Sequence, residues 1–142
     1  MLDTNAVLDL WFFDDPPARA LRAAIDRGRL EVRRSDACDA ELAAVLARPR
    51  FSSGVAAEKA PDRLLAHWRA LAVASQPGAA PWRCTDADDQ KFLDLAHGTG
   101  ARLLVTKDRA LLRIARAARS SGLSIATPAA VVLMLGLQDG IA

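Results

Sequence analysis

The sequence predicts an α/β fold in which a mostly parallel central sheet is flanked by helices, a single three-layer domain over residues 1–142. Three observations carry that expectation. Short apolar runs alternate with longer stretches of helical periodicity, the pattern of a parallel sheet covered on both faces. A chain of 142 residues, 51% apolar and 25% charged, is one domain of ordinary size with enough apolar material for a core, which excludes a disordered chain. The third observation is local: residues 85–108 read as an acid-headed amphipathic helix, a glycine turn and the apolar run Leu103-Leu104-Val105, with Asp108 just beyond it. Carboxylates therefore stand at both places where such an α-to-β unit could face one cleft.

Taken in order, the chain opens on a first strand ending near Asp3, followed by a short helix that buries Val7, Leu8 and Trp11. Only Met1 and Leu2 precede the acid, so either pairing extends through Asp3 and Thr4 or Met1 lies downstream of a longer natural start. After the turn Asp14-Asp15-Pro16-Pro17, a proline opens a helix that runs to about Arg27, with Leu21, Ala24 and Ile25 inward and Gly28 ending it. Residues 30–33 are a weak second strand. Ser35 or Asp36 caps a third helix striped by Leu42, Val45 and Leu46, with Glu41 beside the stripe.

Pro49 and the Ser52-Ser53-Gly54 run break that helix. Pro61 opens a fourth, with Leu64, Leu65, Trp68, Leu71 and Ala72 inward, and a Pro/Gly/Ala-rich loop follows over residues 75–81. Beyond the central unit come a helix over about 108–120, a strand over 123–126, and a last helix capped by Thr127 with Pro128 as its first residue. Asp3 and Asp108 then share the strand-end side of the sheet.

Bulk properties exclude several function classes. No apolar run approaches the roughly 20 residues of a membrane span. Met1-Leu2-Asp3 has neither the basic nor the apolar pattern of a secretory leader, so a cytoplasmic location is expected. Cys38 and Cys84 are too few for a disulfide framework, and no Cys or His spacing fits a zinc site. The net charge of +2 is a weak argument for nucleic acid. Arginine makes up 16 of the 19 basic residues, which suits forked contacts with phosphate but equally suits a GC-rich genome.

Each acid has a structural role open to it. Asp86, Asp88, Asp89 and Asp108 can cap helices, Asp3 can serve a tight turn with Asn5, and Glu41 can be a solvated helix residue. If they converge, two carboxylates about 4 Å apart repel by roughly 4 kcal/mol at an effective dielectric of 20, so the group needs protons or a cation. Oxygen-only donors suit Mg²⁺ or Mn²⁺. Such ions activate water against a phosphodiester without a protein nucleophile. No Ser-His or Cys-His arrangement competes, and His67 and His97 read as helix-surface and helix-end residues.

Four pieces in order, Leu2-Asp3-Thr4-Asn5, Glu41-Leu42 with Val45-Leu46 and Arg48-Pro49-Arg50-Phe51, Asp86-Ala87-Asp88-Asp89-Gln90-Lys91-Phe92-Leu93, and Leu104-Val105-Thr106-Lys107-Asp108, resemble the PIN-domain nucleases. Within that family the likeness is to the VapC-like ribonuclease toxins of bacterial toxin–antitoxin pairs. The resemblance implies an endoribonuclease dependent on Mg²⁺ or Mn²⁺, with Asp3, Glu41, Asp89 and Asp108 as catalytic and metal-binding acids. It gives Asn5 and Thr106 supporting roles; Asp86 and Asp88 lie close enough to Asp89 to share or take its place. It further implies a homodimer and a cognate antitoxin. Two other readings stay open: a nuclease acting in RNA processing or on DNA outside toxin biology, and a non-catalytic metal- or RNA-binding module whose acids only cap helices.

Overall fold

Backbone pairing starts at the first residue. In the structure, a computed structural model describing residues 1–137, Val105 N–H donates to the Met1 carbonyl at 2.9 Å and Asp3 N–H to the Val105 carbonyl at 3.3 Å. Pairing therefore reaches Asp3, and by Thr4 the chain has entered α1 (Thr4–Trp11). There follow α2 (Arg19–Asp26), β1 (Arg33–Arg34), α3 (Asp36–Leu46), α4 (Pro49–Ser52), α5 (Pro61–Leu71) and β2 (Val73–Ala74). The second part of the chain forms α6 (Gln90–Thr99), β3 (Leu103–Val105), α7 (Arg109–Leu112), α8 (Ala115–Arg119), β4 (Ser124–Ala126) and α9 (Pro128–Leu135).

All the strand pairing seen is parallel, as expected, but the expected single central sheet is not formed among the described residues. The ladders fall into two groups. β3 pairs with β4 in the register Leu103↔Ser124, Leu104↔Ile125, Val105↔Ala126, and Leu2 bridges Val105 on the other side of β3. Separately, β1 pairs with β2 through Arg33↔Val73 and Arg34↔Ala74. A hollow of about 710 Å³ lined by Met1, Leu2, Leu30, Val32 and Leu103 draws on both groups. With strands of two or three residues, few ladder bonds oppose this separation.

Other boundaries moved for identifiable reasons. The second strand lies at Arg33–Arg34 rather than at 30–33, and β2 was not expected because Val73 and Ala74 are both exposed and show no alternation. The helix expected over 108–120 is two short pieces meeting near Ile114. Phe51 is buried within α4, so the break after α3 is a helical turn with a packing role.

Successive strand residues enter different parts of the core, as the alternation of a strand requires. Leu2 and Val105 join Val7, Leu10, Leu42, Trp68 and Val131, whereas Met1, Leu104 and Ile125 join Phe92, Leu93, Leu95 and Leu111. β3 thus holds together the helices that bring the acids to its carboxyl end. Among the described residues no helix is long and apolar enough to cross a membrane.

Gly98, near the end of α6, is set by close approach rather than by a turn. A Cβ there would lie 2.3 Å from the Gly78 nitrogen and 2.8 Å from the Gln76 carbonyl oxygen, both backbone atoms. Gly98→Ala is therefore expected to destabilise the fold by about 1–3 kcal/mol through overpacking, measured by urea denaturation; a variant as stable as the parent would show that the 76–78 loop yields freely.

Candidate active site

Three of the acids arrive at one cleft because they sit at strand ends and helix starts, and Glu41 joins them from the middle of α3. Asp3 is the N-cap of α1, its Oδ1 accepting the Ala6 N–H at 2.8 Å, and it is 4% exposed. Asp108 caps α7 in the same way, its Oδ1 accepting the Ala110 N–H at 2.8 Å. Between them lies Thr106, fully buried: its hydroxyl donates to Asp3 Oδ2 and accepts the Asp108 N–H at 2.9 Å. Capping and convergence are thus served by the same side chains.

A cleft of about 190 Å³ is lined by Asp3, Asn5, Glu41, Asp89 and Asp108, with Thr4 and Arg48 also on its wall. Asp86 and Asp88 are exposed and do not line it. Asp86 Oδ1 instead caps the 3-10 turn Ala87–Asp89 by accepting the Asp88 N–H at 3.0 Å. That turn carries Asp89 inward at the start of α6. Asn5 is exposed at the cleft, and Thr106 lies beneath it, acting through Asp3 and Asp108. The histidines are elsewhere: His67 Nε2 lies 3.2 Å from Asp26 and His97 packs edge-on against Trp82.

Glu41 stands apart from the three aspartates in its bonding. Thr4 Oγ1 donates to its Oε2, and Lys91 Nζ lies 2.9 Å from its Oε1. Thr4, Lys91 and Arg48 were not singled out from sequence. All three lie within the motifs quoted above, but nothing local tells that Lys91, on α6, meets a carboxylate on α3.

The electrostatics show the strain expected of crowded carboxylates. Burial pushes the Asp3 carboxyl up to about 6 although the Thr106 and Ala6 hydrogen bonds pull it down, and the Asp108 and Asp9 charges raise it further. Asp89 is pushed up to about 7, first by burial and then by the facing Asp108 carboxyl, with Asp86 and Asp3 adding to it. Asp89 Oδ2 is buried and has no hydrogen-bond donor. The Asp89 carboxyl meets a second acceptor in Asp108, so a proton or a cation is what the pair lacks. The donor set, oxygen only, fits Mg²⁺ or Mn²⁺ in kind. Even so, among the described residues no three Asp, Glu, His or Cys side chains are gathered closely enough to hold an ion as they stand.

Two outcomes follow for the cation-free protein. The folded chain holds protons on Asp3 and Asp89 between about pH 4 and 7 that the unfolded chain, with ordinary carboxyls, has released. Their contribution to stability therefore falls as pH rises through that window. In EDTA, the Tm of the parent minus that of Asp89→Asn should decline from pH 4 to 7; a flat or rising difference would contradict the protonated pair. Asparagine caps helices as well as aspartate does, whereas Asp108→Ala should cost about 1 kcal/mol, and Asp108→Asn much less, by denaturant titration.

Comparison with known proteins places this geometry. No curated protein and no solved structure matches the chain significantly. The family model described as the PIN domain matches residues 1–110, from the first paired residue through β3 and Asp108 into α7. Family membership suggests a nuclease, and PIN nucleases generally use divalent metals, in keeping with an oxygen-only acidic cleft at the strand ends. With most of its length covered by that match, the chain belongs to the PIN domain family.

Proposed function

We propose that the chain is a metal-dependent endoribonuclease that hydrolyses RNA phosphodiester bonds, and that it is the toxin of a type II toxin–antitoxin pair. The observation that supports it best is Asp89, whose Oδ2 is buried without a donor and whose carboxyl meets that of Asp108, in the cleft that Asp3 and Glu41 also line. Asp3, Glu41, Asp89 and Asp108 would hold Mg²⁺ or Mn²⁺, which when bound supplies Lewis acidity toward a phosphodiester oxygen and a more acidic water.

The chain's own groups supply the rest. Thr106 and the α1 cap hold Asp3 by both oxygens, which limits its reorientation during the reaction. Asp89, raised by burial and the neighbouring carboxylates in the cation-free cleft, would give up its proton on taking a cation, so loading is coupled to proton release. Arg48, on the cleft wall, offers a planar fork to phosphate. The setting that this reading implies is a cytoplasmic homodimer whose activity a cognate antitoxin blocks.

Purified protein should cleave a mixed RNA pool with Mg²⁺ or Mn²⁺ and stop in EDTA, and Asp108→Asn should lose more than about a hundredfold in rate while keeping its fold. Gel analysis of the products checks this, and expression of the parent should arrest growth where Asp108→Asn does not. Cleavage without growth arrest would favour RNA processing or DNA cleavage outside toxin biology. Salt-sensitive RNA binding with no products would favour a binding module and remove the nuclease reading.

A further inference from the structure

Both oxygens of Glu41 are engaged by partner side chains that touch none of the other three acids of the cleft. The Thr4 hydroxyl donates to Oε2 and the Lys91 ammonium sits 2.9 Å from Oε1. Lys91 is also oddly placed. It lies in the first turn of α6, where a helix presents its positive end and a cation is disfavoured. Three contacts hold it there: the Glu41 carboxylate, the Asp88 carbonyl, and the Phe92 ring with its centroid 5.1 Å from Nζ. The side chains of Lys91 and Glu41 are only 23% and 28% exposed, so the pair is partly shielded from water.

We propose that Lys91 is a positioning residue that holds Glu41 in reserve: with Thr4, its ammonium keeps that carboxylate off the Asp3, Asp89 and Asp108 group until a divalent cation draws it across. This rests on the reading of the cleft as a cation site. The cation must compete with an internal ammonium for Glu41, and its arrival frees the Lys91 ammonium from that carboxylate. Lys91 thereby makes loading weaker than four acids alone would give.

The test is binding of Mn²⁺ alone, without RNA, followed by the loss of free-ion electron paramagnetic resonance signal and by calorimetry. Lys91→Met should bind Mn²⁺ about fivefold more tightly than the parent, the scale of one partly exposed ion pair. Lys91→Arg, which preserves the pair, should restore the parent affinity. In a Glu41→Gln background the Lys91→Met effect should shrink to less than about twofold, since only through-space repulsion remains. Unchanged or weaker binding by folded Lys91→Met, or an equal gain in both backgrounds, would overturn the proposal. A parent that binds Mn²⁺ while Lys91→Met gives no gain refutes this inference alone; a folded parent that binds no Mn²⁺ refutes the cation site and this inference with it.

Discussion

The Thr106 hydroxyl is the joint on which the cleft depends. Fully buried, it gives its proton to Asp3 and takes the N–H of Asp108, so one side chain fixes the end of the first strand to the end of β3. A buried hydroxyl with both directions of bonding satisfied is costly to replace, because losing it would leave a carboxylate oxygen and an amide without partners. Two acids that repel one another are thereby held on a common frame. Lys107, next in sequence, adds a second tie from the same loop, with its ammonium 3.0 Å from Asp9 on α1 and 3.2 Å from Asp15.

Around that joint the chain sets unfavourable charge against favourable local structure. Asp3 and Asp108 each stabilise a helix start, and that local gain helps retain carboxylates where burial and mutual repulsion work against their charge. Asp89 has no such support: its side chain makes no cap bond, and it is the one whose proton affinity rises furthest. Glu41 escapes the crowding by pairing outward with Thr4 and Lys91.

What could be read in the sequence was what is encoded locally. Ser35, Asp108 and Thr127 are legible as caps because a cap needs only the few residues that follow it. The alternation of helices and strands, and the convergence of Asp3 with Asp108, followed from parallel topology. The division into two ladders was not legible, since strands of two or three residues carry too little pattern to show which neighbours they pair with. β2 left no trace because neither of its residues is buried. Among Asp86, Asp88 and Asp89, spacing could not separate capping from entry into the cleft; the geometry of the 3-10 turn does. The meeting of Lys91 with Glu41 joins helices distant in sequence and has no local signature.

The divided use of the capping aspartates also sets how they can be approached. In Asp3 and in Asp108, Oδ1 is committed to the first turn of a helix. A visitor that took both oxygens of either carboxylate would crowd the helix-cap bond on Oδ1, and at Asp3 the Thr106 bond on Oδ2 as well, so contact through one oxygen is favoured. Denticity is thus restricted before any ion arrives. That disfavours large ions that use carboxylates in two-oxygen mode, such as Ca²⁺, and suits small octahedral ones content with a single oxygen from each. Under the proposed reading of the cleft, ion selectivity would rest on the secondary structure as much as on the charges.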